Sequence, residues 1–207
     1  MYSDGYLEAA DTLVEHLLQK PVPPKLEYPI RYLYRHGMEL ALKELILEAH
    51  RALRLMERVG AAEAWAERAR QLSQEYRSLK RKHRLLPLFD HALTCLCLLD
   101  EKDPSSVLPP PSDDDHVDRS RLLDMVHPPP RVRATIERLD EADPTGETLR
   151  YGYSLDGEVL PRKWREDLEQ LRKDVREAQR WFTAAADYAV FAGDELGDYL
   201  EELEEFE

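Results

Sequence analysis

One stretch constrains the fold of this chain more than any other, the segment from Tyr28 to Leu55. It is the longest strongly apolar run, yet it carries a row of charge that an ordinary core helix does not need. At about 100° per residue on a helix, Met38, Ala41, Leu42, Leu45 and Ala49 share one face. Leu33, Leu40 and Leu47 make a second apolar ridge, and Gly37, Glu44 and Glu48 fall together on an expected solvent face. Arg35, His36, Glu39 and Lys43 lie between the two ridges. A charged row walled by leucines is at least partly buried, and buried charges cost several kcal/mol unless paired. The spacing supplies the pairs, because Arg35–Glu39 and Glu39–Lys43 are both i,i+4. The row is then either a satisfied ladder that sets helix register or the lining of a site.

The remaining segments read as helices that cover this one. Tyr6 to Gln19 is amphipathic, with Ser3 or Asp4 as a cap and the PVPP run as a stop. A third helix is expected from Ala61 to Arg84, separated from the central one by Gly60. The segment from Pro87 to Leu99 is nearly all apolar and reads as a buried core helix. Ser120 to Met125 suggests a helical turn and Arg131 to Glu141 a short helix. The last long helix runs from Arg162 to Phe191, with an apolar stripe from Trp164 to Ala185.

Other segments break the pattern. Residues 101–120 are rich in proline, serine and aspartate and read as a mobile loop. Asp113, Asp114, Asp115 and His116 within it are either solvated or ligands for a metal. Thr148 to Ser154 alternates like a short strand or hairpin between Gly146 and Gly157. Residues 193–207 form an acidic tail, either a frayed solvated helix or a segment that meets a basic partner.

Charge and motif content narrow the function classes. A net charge of −13 argues against general affinity for nucleic acid while leaving room for a local basic site. RSLKRKHRL is the one concentrated basic stretch, and Arg77 and His83 stand in it as R-x5-H. Cys95 and Cys97 sit in an apolar run and read as buried free thiols, since a C-x-C pair lacks the further ligands zinc needs. No Walker loop, Rossmann glycine set, H-E-x-x-H or G-x-S-x-G is present, so no cofactor or catalytic metal is expected. With no signal peptide or membrane-length apolar run, the chain reads as one cytoplasmic domain over 1–207 that meets no membrane.

Tyr32-Leu33-Tyr34-Arg35-His36 followed by Glu39-Leu40-Ala41-Leu42-Lys43 resembles the opening FLYRHxLELxLK helix of a bacterial HEPN-like family, with Tyr32 where phenylalanine is usual. Two further segments share the resemblance. Lys82-His83-Arg84-Leu85 stands where the family shows GHDL, without its glycine and aspartate. Arg150, Tyr151, Asp156 and Gly157 match an RYPxDxxG segment, with Gly152 in place of proline. The resemblance implies an all-α, HEPN-like antiparallel helical bundle with a small β-hairpin or extended insertion near 143–157. Arg77–His83 fits the R-x4–6-H pattern of the superfamily's metal-independent RNases, which serve toxin–antitoxin and anti-phage defence systems and commonly build a composite site across a homodimer. Arg77 and His83 are then the catalytic candidates. Arg35, His36, Glu39, Lys43, Arg150 and Tyr151 are the binding candidates, with Arg35 and His36 as an alternative pair. The partners implied are RNA, a second copy of the chain and a protein from the same defence or toxin–antitoxin operon. The other class in view is a non-catalytic HEPN-like module that binds RNA, a nucleotide or a protein.

Overall fold

The computed structural model describes residues 2–19, 26–59, 63–79, 81, 83–101, 127–144, 146, 149 and 167–205. Among them are six α-helices and no strand: α1 (Tyr2–Gln19), α2 (Glu27–Arg58), α3 (Glu63–Leu79), α4 (Leu85–Glu101), α5 (Pro130–Ala142) and α6 (Leu168–Glu205). The chain is all-α in these residues. Of the loop expected at 101–120, Glu101 belongs to α4 and the rest lies outside them, as do the turn from Ser120 to Met125, almost all of the hairpin at 148–154, and Arg150 and Tyr151.

The long α2 is the axis of the fold, and α1, α3, α4 and α6 all pack on it. Its buried residues lie nearly all the way round, from Ile30, Tyr34 and Met38 through Leu45 and Ile46 to Leu53 and Met56. This changes the wheel in two places. Gly37 does not face solvent. α1 lies so close there that a β-carbon on Gly37 would stand 2.6 Å from Leu7 Cδ2 and 3.3 Å from the Ser3 carbonyl oxygen. Ser3, inside α1 rather than capping it, donates to Glu44 Oε2 at 3.1 Å. Leu47, in turn, is 54% exposed and builds no core ridge.

α6 covers another side of α2 with Leu171, Val175, Ala178, Phe182, Ala185 and Ala189 buried. It does not stop at Phe191. Ala192, Leu196 and Leu200 keep the apolar stripe going, and Gly193 brings α6 against Ala52 of α2. The acidic segment is therefore the solvent side of a packed helix as far as Glu205. Its i, i+4 apolar positions are enough to dock it despite the charge around them.

Polar ties pin the helices at defined depths. Asp11 of α1 accepts from the Tyr34 hydroxyl of α2 at 2.6 Å and from Arg176 Nε of α6 at 2.6 Å. Burial and then the Asp11 hydrogen bond raise the Tyr34 pKa, so the hydroxyl stays a donor. Trp65 Nε1 of α3 donates to the Leu98 carbonyl of α4 at 3.1 Å. Cys95 is buried but Cys97 is exposed, because residues two apart on a helix point to nearly opposite sides. No helix among the described residues is long and apolar enough to cross a membrane.

Candidate functional site

The site forms where α2, the connection before α4, and the turn after α5 converge. Its floor is the charged row of α2. Arg35 Nη1 donates to Glu39 Oε2 at 3.1 Å and Lys43 Nζ donates to Glu39 Oε1 at 2.5 Å. Arg35 and Glu39 are each 2% exposed, so the ladder is dry at that end. Lys43 reaches the edge, with a side chain 20% exposed.

The helix boundary after α3 decides what joins this row. The basic stretch does not continue α3 to Arg84; the helix ends at Leu79, and His83 and Arg84 lie in the short non-helical connection to α4. That break lets His83 turn back onto α2. Its Nδ1 lies 2.9 Å from Glu39 Oε1, and its backbone carbonyl accepts from Arg35 Nη2. The imidazole remains 54% exposed. Nε2 has no hydrogen-bond partner among the described residues.

Helix α5 and the turn behind it close the other side. Asp140 accepts from Arg84 Nε and Nη2 at 2.9 and 2.7 Å, and its second oxygen accepts from the Leu85 amide at 2.6 Å. It thus caps α4 from outside the helix and holds the connection that carries His83. The Asp143 carbonyl accepts from Arg35 Nε at 2.9 Å and from the Gly146 amide at 3.3 Å. The Asp143 carboxylate, fully buried, accepts from the Leu149 amide at 3.1 Å. Gly146 has φ +76°, and a β-carbon there would meet His83 Cβ at 3.0 Å and Arg35 Nη1 at 3.1 Å. Glycine is needed on both counts, conformation and space.

Two opposing effects act on Glu39. Burial raises its pKa, but hydrogen bonds from Lys43 and His83 and their charges outweigh it and hold the carboxyl below its ordinary range. Glu39 is therefore an ionised carboxylate that fixes the orientation of a half-exposed imidazole. Such a pair can accept or donate a proton at the outward nitrogen.

The structure thus joins Arg35, Glu39, Lys43 and His83, and separates them from His36 and Arg77. His36 points toward α1, edge-on to Tyr6 at 4.6 Å and stacked on Tyr32 at 5.6 Å. Arg77 is on the last turn of α3, where it lines a groove between α2 and α3 with Arg54, Glu57 and Arg70. The sequence marked Gly146 as a turn but did not point to it, Asp140 or Asp143 as part of the site. The signal for the turn was present in Asp143-Pro144-Thr145-Gly146, a composition that favours tight turns. Nothing in it named α2 as the destination. The chain matches no known protein-family model, no curated protein and no solved structure.

Proposed function

We propose that the chain is a HEPN-like RNase that works without a catalytic metal and serves a bacterial defence or toxin–antitoxin system. The observation that carries this reading is the Glu39–His83 pair, a buried carboxylate 2.9 Å from a half-exposed imidazole. The family resemblance of the Arg35-His36 helix and the R-x5-H spacing of Arg77 and His83 support it. In this reading His83 Nε2 takes the proton of the RNA's 2′-hydroxyl, and Glu39 stabilises the imidazolium that forms. The 2′-oxygen bonds to phosphorus, the bond to the 5′-oxygen breaks, that oxygen takes its proton from water, and the His83 imidazolium returns its own to solvent. The products are a 2′,3′-cyclic phosphate and a 5′-hydroxyl. The exposed Arg81, two residues before His83, offers a cation for the phosphate, and Arg77, which lies apart from His83 within one chain, is the cation that the R-x5-H resemblance adds. A homodimer would bring two such basic stretches together and offset the overall acidity.

One observation favours a second reading, a non-catalytic module binding RNA, a nucleotide or a protein. Arg35 spends its donors inside the protein, on Glu39, His83 and Asp143, and so offers little to a phosphate. The two readings separate in one assay. Purified protein is incubated with tRNA or total RNA without added divalent cation, beside His83→Ala and Arg77→Lys. Cutting by wild type, absent in His83→Ala and reduced in Arg77→Lys, supports the RNase. Binding without cutting supports the module. Equal cutting by His83→Ala refutes the assignment of the base, and a strictly monomeric protein in light scattering removes the composite site.

A further inference from the structure

A second polar cluster lies deeper in the bundle, where α2 meets α3 and α4. His50 projects from α2, and His91 and Cys95 stand four residues apart on α4, hence on one face. His50 Nε2 lies 3.2 Å from His91 Nε2 and 3.9 Å from Cys95 Sγ. All three donor atoms lie within 4.8 Å of one another. The residues are 3%, 5% and 0% exposed, so they are taken from water together. Nothing in the Glu39–His83 pair uses them.

The two imidazole nitrogens stand at the spacing of a coordination sphere, and the thiol stands somewhat outside it. Zn–N bonds of about 2.0–2.1 Å and a Zn–S bond of about 2.3 Å put neighbouring donors roughly 3.3–3.6 Å apart, so Cys95 Sγ would have to move inward to bind. The surroundings are oriented the same way. Ser73 Oγ of α3 lies 3.3 Å from His50 Nδ1, and Glu75 Oε2 lies 3.9 Å from His91 Nδ1. A proton on each Nδ1, facing Ser73 Oγ and the Glu75 carboxylate, would turn both Nε2 lone pairs inward, as metal-ligating histidines require. The Tyr76 ring closes the cluster, 5.5 Å from His50 and 5.9 Å from His91.

We propose that His50, His91 and Cys95 bind zinc and so clamp α2 to α4. Both imidazoles donate through Nε2. Cys95 releases its thiol proton to solvent and binds as the thiolate, leaving the fourth position to a water. Two imidazoles and a thiolate are a donor set that suits zinc among common divalent cations. The thiolate and the nearby Glu75 carboxylate offset the ion's charge, which a buried cation needs. The alternative is a bare hydrogen bond between the two imidazoles, which holds no metal.

The test uses the full, untagged chain and does not depend on RNase activity. After dialysis against metal-free buffer, wild type is expected to retain about one equivalent of zinc by elemental analysis. Cobalt(II) in its place should give visible ligand-field bands with a near-ultraviolet thiolate charge-transfer band. Cys95→Ser should lose the charge-transfer band, and His91→Gln should lose retained metal. Ser73→Ala should weaken binding by about tenfold, as outer partners of ligating histidines do. Cys97→Ser and His83→Ala should bind as wild type, and far-UV circular dichroism checks that each variant is folded. Added zinc should raise the melting temperature of wild type and not of Cys95→Ser. A wild type that holds no zinc and gives no cobalt spectrum overturns the proposal. So does a cobalt spectrum unchanged in Cys95→Ser, or zinc lost in His83→Ala alone.

Discussion

Replacing Glu39 with alanine tests whether the polar row is a buried structure or a wet surface. The carboxylate is 2% exposed and serves Arg35, Lys43 and His83 together. Removing one partner of a buried pair costs about 3–5 kcal/mol, because the other charge stays behind in a poor solvent. Arg35 would retain the Asp143 and His83 carbonyls and the Asp143 carboxylate 3.9 Å away. Lys43, at the edge, can turn to water. These remaining partners place the loss at the low end, about 3 kcal/mol. With a urea m-value of about 2 kcal/mol/M, the midpoint should fall by roughly 1.5 M with m unchanged. Far-UV circular dichroism follows the transition. Arg35→Met with Glu39→Leu should lose less than Glu39→Ala alone, since apolar residues replace a buried pair at little cost. The same carboxylate makes a prediction about pH. Its native pKa is depressed, so between that value and the ordinary 4.5 the unfolded chain holds the extra proton. The stabilisation is present above the ordinary value and lost as pH falls through the native one. Glu39→Gln should flatten that acid limb. A midpoint shift corresponding to less than about 1 kcal/mol in Glu39→Ala would mean that water screens the row, and the burial argument would fail.

Two substitutions test the packing around the site. Gly37→Ala gains helix propensity of about 1 kcal/mol but pushes a methyl into Leu7 and the Ser3 backbone, for a net loss of about 1–2 kcal/mol. Thermal unfolding reads it, and a more stable variant would show that α1 is not seated so closely. Asp140→Ala removes the acceptor of both Arg84 and the Leu85 amide, and should cost about 2 kcal/mol in chemical denaturation. Asp140→Asn keeps an acceptor for the amide and should lose less; equal stability of the alanine variant would remove the cap from the account.

The sequence alone determined what repeats within a helix. Apolar spacing located the helices at both ends of the chain and the central one between them. The i,i+4 rule paired Arg35, Glu39 and Lys43 correctly. These features depend on helical geometry, which every helix carries with it. Helix ends were less legible. Basic residues continue past Leu79 with no glycine or proline to mark the stop, and acidic ones past Phe191 hide the apolar stripe that extends α6.

Only the tertiary structure decided which sides of α2 are covered and which distant residues reach it. A wheel places Gly37 opposite the apolar ridge, but it holds no information that Leu7 of α1 will fill the space. It groups His36 with Arg35, although the two stand about 100° apart, His36 meeting α1 and Arg35 the connection before α4 and the turn after α5. The pairing of His83 with Glu39 spans 44 positions and that of Arg35 with the Asp143 carbonyl 108. The convergence of His50, His91 and Cys95 belongs with them. Such contacts follow from how all the helices pack at once. Each helix can bury its stripe in several orientations, and the charges that meet are set by the arrangement that buries the most apolar surface while leaving the fewest buried polar groups without partners.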